Sequence, residues 1–284
     1  MNATQVVDEL AVQASPWVQR LARFGFLSKG LVYMLVGVLA VQAAVGRSEA
    51  TGSRGALREL LGAPLGSVLL GAIAIGLFGY ALWRAYCAIA DPERDGGWHR
   101  LYCAGVAVVH ASIAVEAARL ALTGIPGGEG DGGAQHWTAT GLSQPFGGWI
   151  VGGVGGAIIV WGLAQLVKAW RAKLDDQLEL GRLRPTTRTW VRRISRFGIA
   201  ARGVVFAVAG IHLVRAALQF DASEARDAGG ALRALEQQPM GPWLLGVVAA
   251  GLFAYGIYEL LRARYRVIHL GGRGAGAAIR LERG

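Results

Sequence analysis

Leu60 to Trp83, Gly132 to Val167 and Gln237 to Tyr258 contain no Asp, Glu, Lys or Arg. An apolar run of about 18 residues or more is long enough to cross the hydrocarbon core of a bilayer. With the other apolar runs these stretches predict six spans, at 28–46, 65–86, 101–123, 148–170, 198–219 and 242–264. Composition agrees: the chain is 53% hydrophobic and 17% charged, where a soluble domain is about a quarter charged. The expected fold class is all-α, a polytopic membrane protein of six transmembrane helices. The first sixteen residues include Asp8 and Glu9 and lack the basic-then-apolar layout of a cleaved signal, so the first span is expected to stay with the chain.

The cations fix an orientation. The N-terminus, the 84–100 linker, the 168–202 linker and the C-terminal tail fall on one side and hold 22 of the 29 Lys and Arg residues; the other side holds 7. Lys and Arg resist translocation, so the rich side is expected to be cytoplasmic, with both termini inside and the chain in the cell (plasma or inner) membrane. The net charge of +10 is then a topology signal and gives no reason to expect nucleic-acid binding.

The chain also repeats itself. RFGFLSKGLVY at Arg23–Tyr33 returns as RFGIAARGVVF at Arg196–Phe206, and a weaker copy aligns Arg100 with both arginines and His110 with Tyr33 and Phe206. PLGSVLLG at Pro64, PFGGWIVG at Pro145 and PMGPWLLG at Pro239 share Pro-x-Gly and a second glycine, and ALREL at Ala56 matches ALRAL at Ala231. The protein reads as one helical hairpin written three times. Copies in one orientation predict pseudo-threefold packing about an axis along the membrane normal. Each copy should place a short outer segment, near 53–63, 134–144 and 228–238, before its Pro-x-Gly. The expected organisation is a cytoplasmic segment at 1–19, repeats at 20–97, 98–180 and 194–268, a basic linker at 181–193 and a flexible tail at 269–284.

Small residues mark how helices should meet. Gly30, Gly37 and Ala44 are seven apart, as are Gly203, Gly210 and Ala217, and Ala107, Ala114 and Ala121. Each trio lines one helix face and lets backbones approach closely, which matters in lipid, where water gives no push. Gly148, Gly152 and Gly156 form a second strip at a spacing of four. Arg23, Lys29, Arg196 and Arg202, at the basic-side start of odd-numbered helices, are expected to lay their stems on apolar surface and keep their heads among lipid phosphates.

The R-x-G…G-x-V-[YF] openings and P-x-G-x-W-x-x-G helices, in three two-span copies, resemble the bacterial membrane family called domain of unknown function 1206. The resemblance covers roughly residues 20–266. The middle copy departs from it, with Tyr102 and Ala107 in place of the two glycines. It implies the fold and no activity.

Ionisable groups at depth are the candidates for function. The repeat alignment places Leu39, Glu116 and His212 at one position, so a threefold arrangement would bring Glu116 and His212 to the same depth, to pair or share a proton. The competing reading is a local Glu116–Arg119 pair. Position 39 points away from the Gly37 seam, so one of the two faces a neighbouring helix and not the axis. Arg84, Gln165 and Glu259 form a second equivalent layer, one turn past Tyr80, Trp161 and Tyr255; an Arg84–Glu259 pair across the first and third hairpins stands against separate snorkelling. His110 lies near mid-depth, where a histidine is most often a neutral packing residue.

Catalytic and cofactor patterns fail. Gly128-x-Gly130-x-x-Gly133 matches a dinucleotide fingerprint, but no strand precedes it. Cys87, His99 and Cys103 offer three soft donors without a fourth or a CxxC spacing. No catalytic, cofactor-binding or metal-ligating residue is assigned, no cofactor is expected, and the chain is not expected to be an enzyme. The 168–202 linker carries ten Lys and Arg with Trp170 and Trp190 between them, suited to anionic lipid headgroups. The expected role is a structural or accessory membrane protein that binds lipid or a partner. Small-solute or ion permeation through Glu116, His212 and His110 is the alternative, and a membrane-embedded lipid enzyme a third.

Overall fold

A computed structural model of the chain describes residues 15–90, 97–125, 132–171 and 185–265. The acidic outer loop with Gly128 and Gly130, the first part of the basic linker and the C-terminal tail lie outside the described residues. The described residues form nine α-helices: α1 (Ser15–Ala44), α2 (Ser53–Leu61), α3 (Gly66–Ala90), α4 (Gly97–Thr123), α5 (Gly132–Leu142), α6 (Gly147–Arg171), α7 (Pro185–Gln219), α8 (Ala228–Glu236) and α9 (Gly241–Tyr265). Six of them, α1, α3, α4, α6, α7 and α9, are long and apolar enough to cross a membrane. The short α2, α5 and α8 stand where the outer segments were expected. The described end of the expected 181–193 linker is helical instead, because α7 begins at Pro185 and runs 35 residues into its span.

Each Pro-x-Gly is the same turn. The amide of Gly66 donates to Ala63 (2.9 Å), that of Gly147 to Gln144 (2.9 Å) and that of Gly241 to Gln238 (2.7 Å). Proline sits at the second position, and the third residue is left-handed: Leu65 (φ 60°), Phe146 (61°) and Met240 (62°). That position ordinarily takes glycine. Here a bulky apolar side chain occupies it in all three repeats and is about three-quarters exposed at the outer rim. The glycine that follows tolerates nothing larger, since a Cβ there would strike the carbonyls of Leu60, Gly141 and Glu236 respectively.

The six long helices form a ring that is open at one place, between α4 and α6. The most extensive pairings are α3 with α4, α6 with α7 and α9 with α1, so the second helix of each repeat packs on the first helix of the next and the third repeat closes on the first. The seven-residue seams make these contacts. A Cβ on Gly30 would meet the Gly256 carbonyl at 2.9 Å, and one on Gly37 the Phe253 amide nitrogen at 2.7 Å. Gly203 and Gly210 meet the carbonyls of Gly162 (2.8 Å) and Gly155 (2.9 Å) in the same antiparallel register. The seams therefore face the neighbouring repeat. On α6 the partner strip is Gly148, Gly155 and Gly162, again seven apart. This corrects the expected Gly148, Gly152, Gly156 strip: Gly152 touches only the Ala217 methyl, at 3.5 Å, and nothing lies within 4 Å of a Cβ on Gly156. Helices in extended contact drift slowly against a period of seven and quickly against a period of four.

Candidate functional site

Towards the end of the ring where the chain begins, all six long helices send a cation, a carboxylate or an aromatic ring inward, and together these side chains form a cage. Four-residue spacings put each pair on one helix face: Lys29 with Tyr33 on α1, Tyr80 with Arg84 on α3, Arg202 with Phe206 on α7, Tyr255 with Glu259 on α9. Tyr102 and His110 come from α4 and Trp161 from α6. Lys29, Arg84, Arg202 and Glu259 are the charged residues fully buried among the described ones, three cations against one carboxylate.

The carboxylate is saturated. Glu259 accepts from Lys29 Nζ (2.9 Å), from the Tyr255 hydroxyl and from Arg262 Nη1 at 3.0 and 3.1 Å. Lys29 also donates to Tyr255 (3.1 Å) and lies over the Tyr80 ring at 5.1 Å. Arg262 stacks on Phe26 at 4.5 Å. The other two cations have no acid within ion-pair distance among the described residues. Arg84 donates through Nε to the Tyr80 hydroxyl (2.9 Å) and through Nη1 to Cys103 Sγ (3.6 Å). Arg202 donates through Nε to the Tyr33 hydroxyl (3.0 Å). Its guanidinium carbon lies 4.5 Å from the centre of Trp161, 4.8 Å from Phe206, 4.9 Å from Tyr255 and 5.7 Å from Tyr33. Its terminal nitrogens have no hydrogen-bond partner among the described residues. A desolvated cation–ring contact contributes about 2 kcal/mol; leaving a charge unpaired in an interior costs several. The rings offset part of that cost and leave a fork of donors unused.

This arrangement corrects two expectations. Of the two readings of Arg84 and Glu259, neither holds: they do not pair, because α9 docks on α1 and Glu259 faces Lys29 and Arg262, and they do not snorkel, because both are buried. Lys29 and Arg202 do not snorkel to the surface; they are 3% and 6% exposed. Arg196 likewise turns inward to the chain and caps α6, donating from Nη2 to the Trp170 carbonyl (2.7 Å), as its equivalent Arg100 caps α3 at Ala88 and Ile89 (2.7 and 3.1 Å). Gln165, equivalent to Glu259, packs against Gly203. His110 is a packing residue, buried, with Nδ1 2.8 Å from the Val106 carbonyl and its ring on Tyr80.

Glu116 and His212 are not brought together. Glu116 lies 4.0 Å from Arg58 on α2, and His212 lies 4.0 Å from Glu224. Arg119 is exposed and does not form the local pair. Leu39, their equivalent, is buried in an apolar core with Leu70, Leu77, Ala117, Leu120, Leu245 and Leu252, which fills the half of the ring beyond the cage. His99 Nε2 and Cys103 Sγ are 3.3 Å apart.

The cage residues were legible as a pattern without a role. The repeat alignment superposes Lys29, Val106 and Arg202, then Tyr33, His110 and Phe206, then Tyr80, Trp161 and Tyr255. What the letters withheld is that this face turns inward.

Three copies of the family described as Domain of Unknown Function (DUF1206) match the chain, at residues 24–91, 102–172 and 197–266. The chain belongs to the DUF1206 family. A relative from Bacillus subtilis (strain 168), named "Uncharacterized protein YxxB", is 35% identical over 267 residues, covering 92% of this chain and 95% of its own. No solved structure matches. The DUF1206 copies coincide with the three helical hairpins, and the cage is where all three DUF1206 copies converge.

Proposed function

We propose that this DUF1206 protein is a non-enzymatic membrane protein that holds an anionic group in its central cage, with the basic end of the ring in the cytoplasm and the cell membrane as its location. Arg202 carries the reading. It is buried, its one hydrogen bond uses Nε, and no carboxylate lies within ion-pair distance of it among the described residues. An oxyanion can take both terminal nitrogens at once, which is the geometry a guanidinium favours. Arg84, similarly without an acid, adds to the attraction.

Binding is favoured over turnover by what surrounds the fork. The rings and donors would hold an anion, and the nearby Cys103 thiol is fully buried and already engaged by Arg84 and His99. Binding is favoured over permeation by the apolar core beyond the cage, which a crossing solute would have to displace. The excess of cations at the cage end supports the orientation.

Thermal unfolding in detergent tests the reading, with inorganic phosphate or phosphatidylglycerol added at constant ionic strength. A ligand at a hundred times its Kd stabilises by about 2.7 kcal/mol. At least one of the two should raise the midpoint of the wild type and leave Arg202→Gln unmoved. Equal shifts in both proteins, or none in either, overturn it.

A further inference from the structure

We infer that the anion is the phosphate of a membrane phospholipid, and that the lipid reaches the cage sideways, between α4 and α6. The inference rests on the cage being an anion site and adds the ligand class and the route.

The ring is threefold except at one place. In the first repeat α1 packs along α3, and in the third α7 packs along α9; in the middle repeat α4 and α6 hardly touch. The difference centres on one position. Where α1 meets α3 the close approach is made by Gly25, whose Cβ would lie 2.6 Å from that of Tyr80, and where α7 meets α9 by Gly198, against the Tyr255 backbone. The equivalent residue on α4 is Tyr102. Its ring lies 6.0 Å from that of Trp161 on α6, so a bulky side chain stands between these helices where glycine lets the outer repeats close. One turn further on, Gly76 packs on Ser28 and Gly251 on Ala201 in the outer repeats. Their counterparts Ala157 and Gly105 are both exposed, and nothing lies within 4 Å of a Cβ on Gly105.

The seam is therefore open towards lipid, and its inner end is the cage. Trp161 covers one face of the Arg202 guanidinium (4.5 Å), and Tyr102 lies 5.8 Å from that of Arg84. The opening leads to the two cations that lack a carboxylate; the third, Lys29, is held by Glu259 on the far side. Its walls are apolar and exposed: Leu101, Gly105 and Val108 follow one stripe of α4, and Gly153, Ala157 and Val160 one stripe of α6. Apolar walls fit acyl chains, and a donor fork at headgroup depth fits a phosphate diester. A soluble anion has no use for the walls, and a partner helix has no use for the fork.

Native mass spectrometry of the full chain released from micelles containing phosphatidylglycerol and phosphatidylcholine tests this. The wild type should retain one phosphatidylglycerol in preference to phosphatidylcholine. Gly105→Trp, placed in open space, should lower that retention about tenfold, and Gly71→Trp, in equally open space on α3, should not. Arg202→Gln should lose the lipid, and Arg202→Lys, which keeps the charge without the fork, should keep part of it. If the arginine variants lose lipid and Gly105→Trp does not, the route is wrong and the site stands. If phosphate stabilises the protein and no lipid is retained, the ligand is a soluble anion and the inference falls. A dimer mass without lipid would put a second chain in the seam and overturn it too. Full retention in Arg202→Gln and Arg202→Lys removes the site reading itself.

Discussion

Lys29 Nζ lies 2.9 Å from Glu259 Oε1, across 230 residues of chain, and joins the last repeat to the first. A linear array of three hairpins would leave α1 and α9 as two ends. This contact, backed by the Gly30 and Gly37 seam on α9, makes the array a ring. The outer rim closes the same way: Arg58 on α2 reaches Glu116 of the second repeat, and its equivalent Arg233 on α8 donates to the Ala50 carbonyl of the first (3.1 Å).

Glu259→Gln should be among the most destabilising single changes in the chain. It leaves the buried Lys29 and the half-buried Arg262 beside a neutral amide, and removing one partner of a buried pair costs about 3–5 kcal/mol. Lys29→Met should cost less, because Arg262 still binds both carboxylate oxygens. Thermal midpoints in one detergent give the order directly; a larger loss from Lys29→Met would show that Arg262 is not the stronger partner.

The seam predicts a sharp contrast between glycines. Gly37→Leu drives a side chain into the Phe253 backbone, which cannot retreat as a flexible side chain would; overpacking of this kind costs about 1–3 kcal/mol or more. Gly71→Leu meets open space and should leave the melting midpoint unchanged or raise it, since leucine is the better helix former by about 1 kcal/mol.

Much of this was readable from the chain. Spans, hairpins and outer helices followed from uncharged length and from repetition, because both are one-dimensional. The seams on α1 and α7 were visible as spacings of seven. The site was not, for two reasons. Lys29 and Arg202 fall near the start of their expected spans, where a long cation normally turns outward, and only the packing of α9 on α1 and of α6 on α7 shows that these two turn in. Tyr102 departs from the glycine pattern in the sequence, but a substitution becomes an opening only when the neighbouring repeats show how tightly Gly25 and Gly198 close theirs.

The Pro-x-Gly turns should fail in a position-specific way. Gly147→Ala places a methyl against the carbonyls of Gly141 and Leu142 and should lower the yield of folded protein. Phe146→Gly should not unfold it, because glycine relieves a left-handed residue of about 1 kcal/mol or more of strain. The ring it removes is an exposed interfacial anchor, so the expected outcome is a stable protein in detergent that incorporates less efficiently into bilayers. Detergent melting and reconstitution yield separate the two effects.

The ring requires every repeat to start on one side. Ser53 opens α2 at the outer rim, and Arg188 lies in the first turn of α7, at the end of the ring where α1 also begins. Ser53→Cys and Arg188→Cys, made singly, should therefore label from opposite sides of sealed vesicles with a membrane-impermeant maleimide. The native Cys87 and Cys103 are both buried and should add little background. By the distribution of Lys and Arg, position 188 should react only in inside-out vesicles and position 53 only in right-side-out ones. The reverse result would invert the protein in the membrane and leave the ring intact. Labelling of both positions from one side would break the ring itself, because α3, α4 and α6 could no longer each cross once between them.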